Sequence, residues 1–75
     1  VAVERAGRSY IADLQPIEGG AILVMTRDGQ AFGNAEGLEA KLAAEQFCAT
    51  RGAGVAAHSF GHFVGGAWTF KGGCV

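Results

Sequence analysis

Four side chains in this 75-residue sequence carry chemistry that a small chain could use: Cys48 in "AAEQFCATRG", Cys74 in "FKGGCV", and His58 and His62 in "HSFGH". Two thiols can close a disulfide, a thiol beside a histidine can act as a nucleophile, and a pair of histidines can contribute to a metal site. On an extended strand His58 and His62 share a face, but their Cα atoms then stand roughly 13 Å apart, too far to chelate one ion. A turn at Gly61 brings them closer, yet zinc takes three or four ligands and no cysteine or carboxylate is near in sequence. Histidines on the surface of a hairpin are the simpler expectation. A small-ligand or metal-binding module built on His58 and His62 stands as the alternative, and no cofactor is expected.

Two short motifs suggest other chemistry and fail on context. "GAGVAA" at 52-57 matches a loose dinucleotide-binding fingerprint, but that mechanism needs glycines that follow a strand and open a helix. Here they follow a helix and enter a strand, which is the opposite polarity. "AHSFG" at 57-61 approaches the serine nucleophile elbow without its first glycine, and that elbow belongs to hydrolases several times this size. Asp13, Glu18 and Asp28 fall on strand faces or turns rather than in pairs. The expectation is a protein that is not an enzyme.

Composition narrows the partners. A hydrophobic fraction of 49% with 17% charged residues describes a chain that collapses rather than a disordered tail. Six basic against seven acidic residues, without a basic cluster, leave out the electrostatic footprint of a nucleic-acid binder. The longest apolar run, "AILVM" at 21-25, is far short of the roughly 20 residues of a membrane span. The chain starts at Val1 and its single methionine is Met25, so residues before Val1 are expected to have been a signal peptide, a lipoprotein leader, or sequence beyond a cloning boundary.

The elements that position these side chains follow from periodicity. "SYIADLQ" at 9-15 alternates with period two, placing Tyr10, Ala12 and Leu14 on one face and Ile11, Asp13 and Gln15 on the other. After the turn "PIEGG", "AILVMT" reads as a central strand, followed by a turn at "RDGQ" and a short "AF". Residues 35-51 are expected to be helical, capped by Asn34 and stopped at Gly52. One helical stripe holds Ala40, Ala43, Ala44, Phe47 and Cys48, and a second, narrower one holds Leu38, Leu42 and Ala49. Two glycine-rich strands, "GVAAHSF" and "GGAWTFKGGCV", close the chain around "GHFVGG". The expected fold is α+β, a single domain over 1-75, with an antiparallel sheet of about four strands and one helix on one face in the order ββαββ.

The cysteines then acquire a relationship. Cys48 lies on the stripe that faces the sheet, and Cys74 shares parity with Trp68 and Phe70 on the apolar face of the last strand, if Gly72 and Gly73 introduce no bulge. A helix-to-sheet disulfide is expected, with two separate buried thiols as its alternative. Disulfides persist mainly in oxidising compartments, so the expectation extends to an exported, periplasmic or extracellular protein.

The segment 36-75, with "AAEQFCATRG" on a helix and "WTFKGGCV" at the end, resembles small uncharacterised exported proteins and lipoproteins of proteobacteria. Those carry A-x-x-[FY]-C-x-x-x-G on a helix and then a strand pair closed by F-x-C. Here three residues rather than one separate Phe70 from Cys74. The resemblance implies a disulfide and export, and no activity.

Association is the function these features favour. One sheet covers only one helical stripe, so Leu38, Leu42 and Ala49 are left as a surface for a protein partner or a second copy, unless the arm "VAVE" or a loop covers Leu38 and Leu42. Phe63, on the opposite parity from Trp68 if the strand runs unbroken, is expected to be exposed. Trp68, Phe70, Phe60 and Phe63 form a stacking platform only if core packing does not claim them.

Overall fold

In the computed structural model, which describes residues 1-55 and 61-75, the chain forms five strands and one helix. Strands β1 (Ala2–Arg5), β2 (Arg8–Ile17) and β3 (Gly20–Arg27) form a meander. Helix α1 (Gly37–Thr50) then crosses the sheet, and β4 (Gly61–Val64) and β5 (Ala67–Lys71) form a hairpin. All pairings are antiparallel and the spatial order is β1-β2-β3-β5-β4, so β5 inserts between β3 and β4.

The α+β class and the single helix agree with the sequence; the strand count does not. The order is βββαββ, and the additional strand is the "AVER" segment, read in the sequence only as an arm that folds over the helix. Its hairpin is closed by Ala6 at φ 53° and Gly7 at φ 76°. Two-residue turns of this kind normally announce themselves by Asn-Gly or Asp-Gly, because both positions need positive φ. Alanine is a poor signal for a position that it occupies only at a cost. The β4-β5 hairpin turns at Gly65 and Gly66, at φ 53° and 86°, so "GHFV", expected within the hairpin connection, is itself the strand β4, while most of "GVAAHSF" lies outside the described residues. Val55 makes an isolated bridge to Cys74.

The core sits between the helix and one face of the sheet. Tyr10, Ala12, Leu23, Met25 and Phe70 are buried from the strands, and Ala40, Ala43, Ala44, Phe47 and Cys48 from the helix. The stripe of small residues read from the sequence is thus the packed face, as three alanines let the helix lie close on the sheet. Phe32, expected in a short strand, lies in the loop before α1, where it is buried and stacks on Tyr10 with ring centroids 5.9 Å apart.

The helix ends differ from expectation at one side. Gly52, at φ 72°, provides the left-handed stop. At the other end the capping position is Glu36 rather than Asn34, without a side-chain cap hydrogen bond, and the helix begins at Gly37. The cause is that the Glu36 carboxylate is drawn out of the capping role by Arg27 and by the Gly33 amide.

Candidate interaction surface

Cys48 and Cys74 form a disulfide, with Cα atoms 5.4 Å apart and a sequence separation of 26. By loop-closure entropy a link of this span contributes about 3.5 kcal/mol, a large share of what a domain this small has in total. It fastens the last turn of the helix to the segment after β5. Neither cysteine is then a free thiol.

Of the two histidines, His62 is exposed on β4, whereas His58 falls outside the described residues together with Ser59 and Phe60. Among the described residues, no three His, Cys, Asp or Glu side chains gather as a metal-ligand group. Also among them, no helix is long and apolar enough to cross a membrane.

The narrower helical stripe points away from the sheet. Leu38 is 71% exposed, Ala49 is exposed and Leu42 is half-buried. The "AVER" segment does not cover Leu38, because it is paired to β2 and inserts Val3 into the core instead. Phe63 is 36% exposed, but the two-residue turn at Gly65 and Gly66 sets it opposite Trp68 on the same face, with ring centroids 5.7 Å apart. The unbroken strand that would have put it on the other face does not form. Trp68 itself is held from three sides: its Nε1 donates to the Gly33 carbonyl at 3.2 Å, and Gly37 and Gly61 lie close against its ring.

An ionic network that sequence reasoning missed lies at one end of the helix. Arg27 donates to Glu36 through both terminal nitrogens, at 2.6 and 3.0 Å, and to the carbonyls of Gln30 and Ala31, both at 3.1 Å. It also reaches Glu39 at 3.3 Å and lies 5.1 Å from the centre of the Phe32 ring. Glu39 accepts the Tyr10 hydroxyl at 2.8 Å and faces Arg8 at 3.3 Å. The Tyr10 hydrogen bond, followed by the arginines, holds Glu39 below the usual carboxylate range, and Arg27 does the same for Glu36. Burial, then the Glu39 hydrogen bond, pushes the Tyr10 phenol up. The sequence did contain a signal: Arg27 continues the inward parity of Leu23 and Met25, so a charged group was due on the packed face. These carboxylates are occupied in tying the loop 28-36 to the helix.

Among the described residues, a further apolar feature is the opposite face of the sheet. All buried strand residues lie on the helix side, and none of the outward-pointing residues joins the core. The pairing register lines the outer side chains up in rows. One row runs Asp13, Val24, Thr69, His62 across four strands, and the next runs Gln15, Ile22, Lys71. Ile11, paired with Thr26, is 42% exposed, and Val64, paired with Ala67, is 61% exposed. An antiparallel sheet with a solvated face ordinarily alternates apolar inside with polar outside. On β3 that alternation is missing, since Ile22 and Val24 face outward while Leu23 and Met25 face in.

Fold and surface together define a disulfide-stapled, two-layer α+β domain with one sheet face uncovered among its described elements. Comparison with known proteins finds no matching family model, no matching curated protein and no matching solved structure.

Proposed function

We propose that the protein is a non-catalytic interaction module of an exported assembly, and that it docks on protein through its apolar surface. The observation that carries this reading is the outer sheet face, where Ile11, Ile22 and Val24 occupy positions that a solvated sheet fills with polar residues. Exposed Leu38 adds a second apolar position on the helix side. The disulfide supports an oxidising compartment, periplasmic or extracellular. The non-catalytic part is supported by the carboxylates of Glu36 and Glu39 being engaged with Arg27, Gly33 and Tyr10.

A photo-crosslinking side chain placed at Val24, with a control at Lys41 on the polar helix surface, tests the reading in the cells that make the protein. A discrete adduct from Val24, to another copy or to a different protein, and none from Lys41, is the expected result. No adduct from Val24 or from a second probe at Leu38 would remove it.

A further inference from the structure

We infer that the occupant of the outer sheet face is a second copy of this chain, packed sheet to sheet about a two-fold axis that runs along β3. The inference rests on the interaction reading above and names its partner.

The argument starts from the pattern of charge. β3 is the central strand, flanked by β2 on one side and β5 on the other. On the outer face β2 carries Asp13 and Gln15, and β5 carries Thr69 and Lys71, in register with Val24 and Ile22 of β3. Around Ile22 and Val24 the face therefore has one carboxylate on the β2 side, Asp13, which accepts from Gln15 at 2.7 Å, and one ammonium on the β5 side, Lys71, with exposed Ile11 and Ile17 extending the apolar surface along β2.

Two identical sheets can meet face to face about a two-fold axis lying either along the strands or across them. An axis across the strands sets β2 against β2 and β5 against β5, so Asp13 meets the β2 side of the partner copy, with the same carboxylate, and Lys71 its β5 side, with the same ammonium. Like charges brought together as water is excluded oppose association. An axis along β3 sets β2 against the partner copy's β5. Asp13 then lies opposite Thr69 and one diagonal step from Lys71 of the other copy, and Gln15 lies opposite Lys71. The pair occurs twice by symmetry.

The same axis places Ile22 and Val24 against their own counterparts at the centre. Strands of the two copies then run in the same direction, which belongs to the aligned class of sheet packing, with layers about 10 Å apart and directions within about 30°. The β-branched side chains at the centre are short enough for that spacing, while the lysine reaches across the rim. The helices remain on the two outer surfaces of a four-layer assembly, and Leu38 takes no part.

Sedimentation of the purified, disulfide-intact protein tests this. A dimer is expected, weakened about tenfold by Asp13→Lys and about tenfold by Lys71→Asp, and restored to near the original affinity when both are combined. Val24→Lys, which brings two cations together on the axis, should raise the dissociation constant at least about a hundredfold, and Leu38→Glu should leave it unchanged. A protein that stays monomeric up to about 1 mM would overturn the proposal, as would charge reversals whose combination does not rescue. A dimer broken by Leu38→Glu and indifferent to Val24→Lys would also overturn it while leaving the interaction reading intact. A Val24 crosslink to a different protein, with no self-association of the purified chain, would do the same.

Discussion

The hydroxyl of Tyr10, on β2, donates a 2.8 Å hydrogen bond to the carboxylate of Glu39, in the first turn of the helix, across 29 positions of sequence. One buried ring thereby joins the sheet, the helix and the Arg27 network. Removing the hydroxyl in Tyr10→Phe leaves packing intact and is expected to cost about 1 kcal/mol, below the usual value for a bond to a charged group because Glu39 also touches water. Urea denaturation with an unchanged slope would measure it.

The same network fixes the pH profile. Glu36 and Glu39 titrate below their ordinary value of 4.5 in the folded protein. The unfolded chain therefore takes up protons first as acid is added. Their contribution is fully present above about pH 4.5 and is lost as pH falls through the folded values. Tyr10 has the opposite sign: raised above 10.0, it contributes fully below that pH and loses its contribution as pH rises through the folded value. Tyr10 is the only tyrosine, so phenolate absorbance reads it directly. Stability in Tyr10→Phe should fall less steeply in acid, since that hydrogen bond is the largest cause of the Glu39 depression. An acid limb of undiminished slope in the variant would show that the arginines alone hold Glu39.

Replacing both cysteines, Cys48→Ala with Cys74→Ala, should lower stability by about 3.5 kcal/mol through the unfolded chain, with a further loss from the space vacated in the core at Cys48. Reducing the wild type without substitution separates the two contributions. A reduced protein as stable as the oxidised one would mean that the link does not constrain the unfolded chain.

Gly37→Ala poses two effects against each other. Alanine is the better helix former by up to about 1 kcal/mol. Its Cβ, however, would stand 2.9 to 3.2 Å from three carbons of the Trp68 ring. Overpacking against an aromatic ring costs about 1 to 3 kcal/mol, so the variant should be less stable, and Trp68 fluorescence should shift with it. A stabilised Gly37→Ala would indicate that the indole moves freely.

Ala6→Asn is expected to stabilise by about 0.5 to 1 kcal/mol, because asparagine tolerates the left-handed backbone that Ala6 adopts at φ 53°. Thermal denaturation would detect it, and an unchanged midpoint would show that the turn carries no strain.

Much of the helix side was legible in the sequence. Five small or aromatic residues at helical spacing announced the packed stripe, and the Cys48–Cys74 link was expected, but not by the route it takes: β5 ends at Lys71, and Gly72 and Gly73, at φ 95° and 60°, break the strand parity before Cys74. Three things were hidden, each for a physical reason. The first strand was obscured because its turn uses alanine where the signal residue is asparagine or aspartate. The helix start was displaced because Glu36 answers to Arg27, a partner nine positions away, rather than to its own backbone. The face of Phe63 depended on where the hairpin turns, and a run of glycines leaves that choice to tertiary contacts.

The bridge between Val55 and Cys74 is flanked by a reciprocal pair of backbone hydrogen bonds, Gly54 to Val75 at 3.0 Å and Val75 to Gly54 at 2.7 Å. Segments of this kind ordinarily fray, and their amides exchange with solvent within the fastest class. Here fraying requires the helix end to move as well, because Cys74 is bonded to it. The amides of Gly54 and Val75 should exchange as slowly as those in the middle of the sheet, and a reductant should release them while the rest of the sheet keeps its protection.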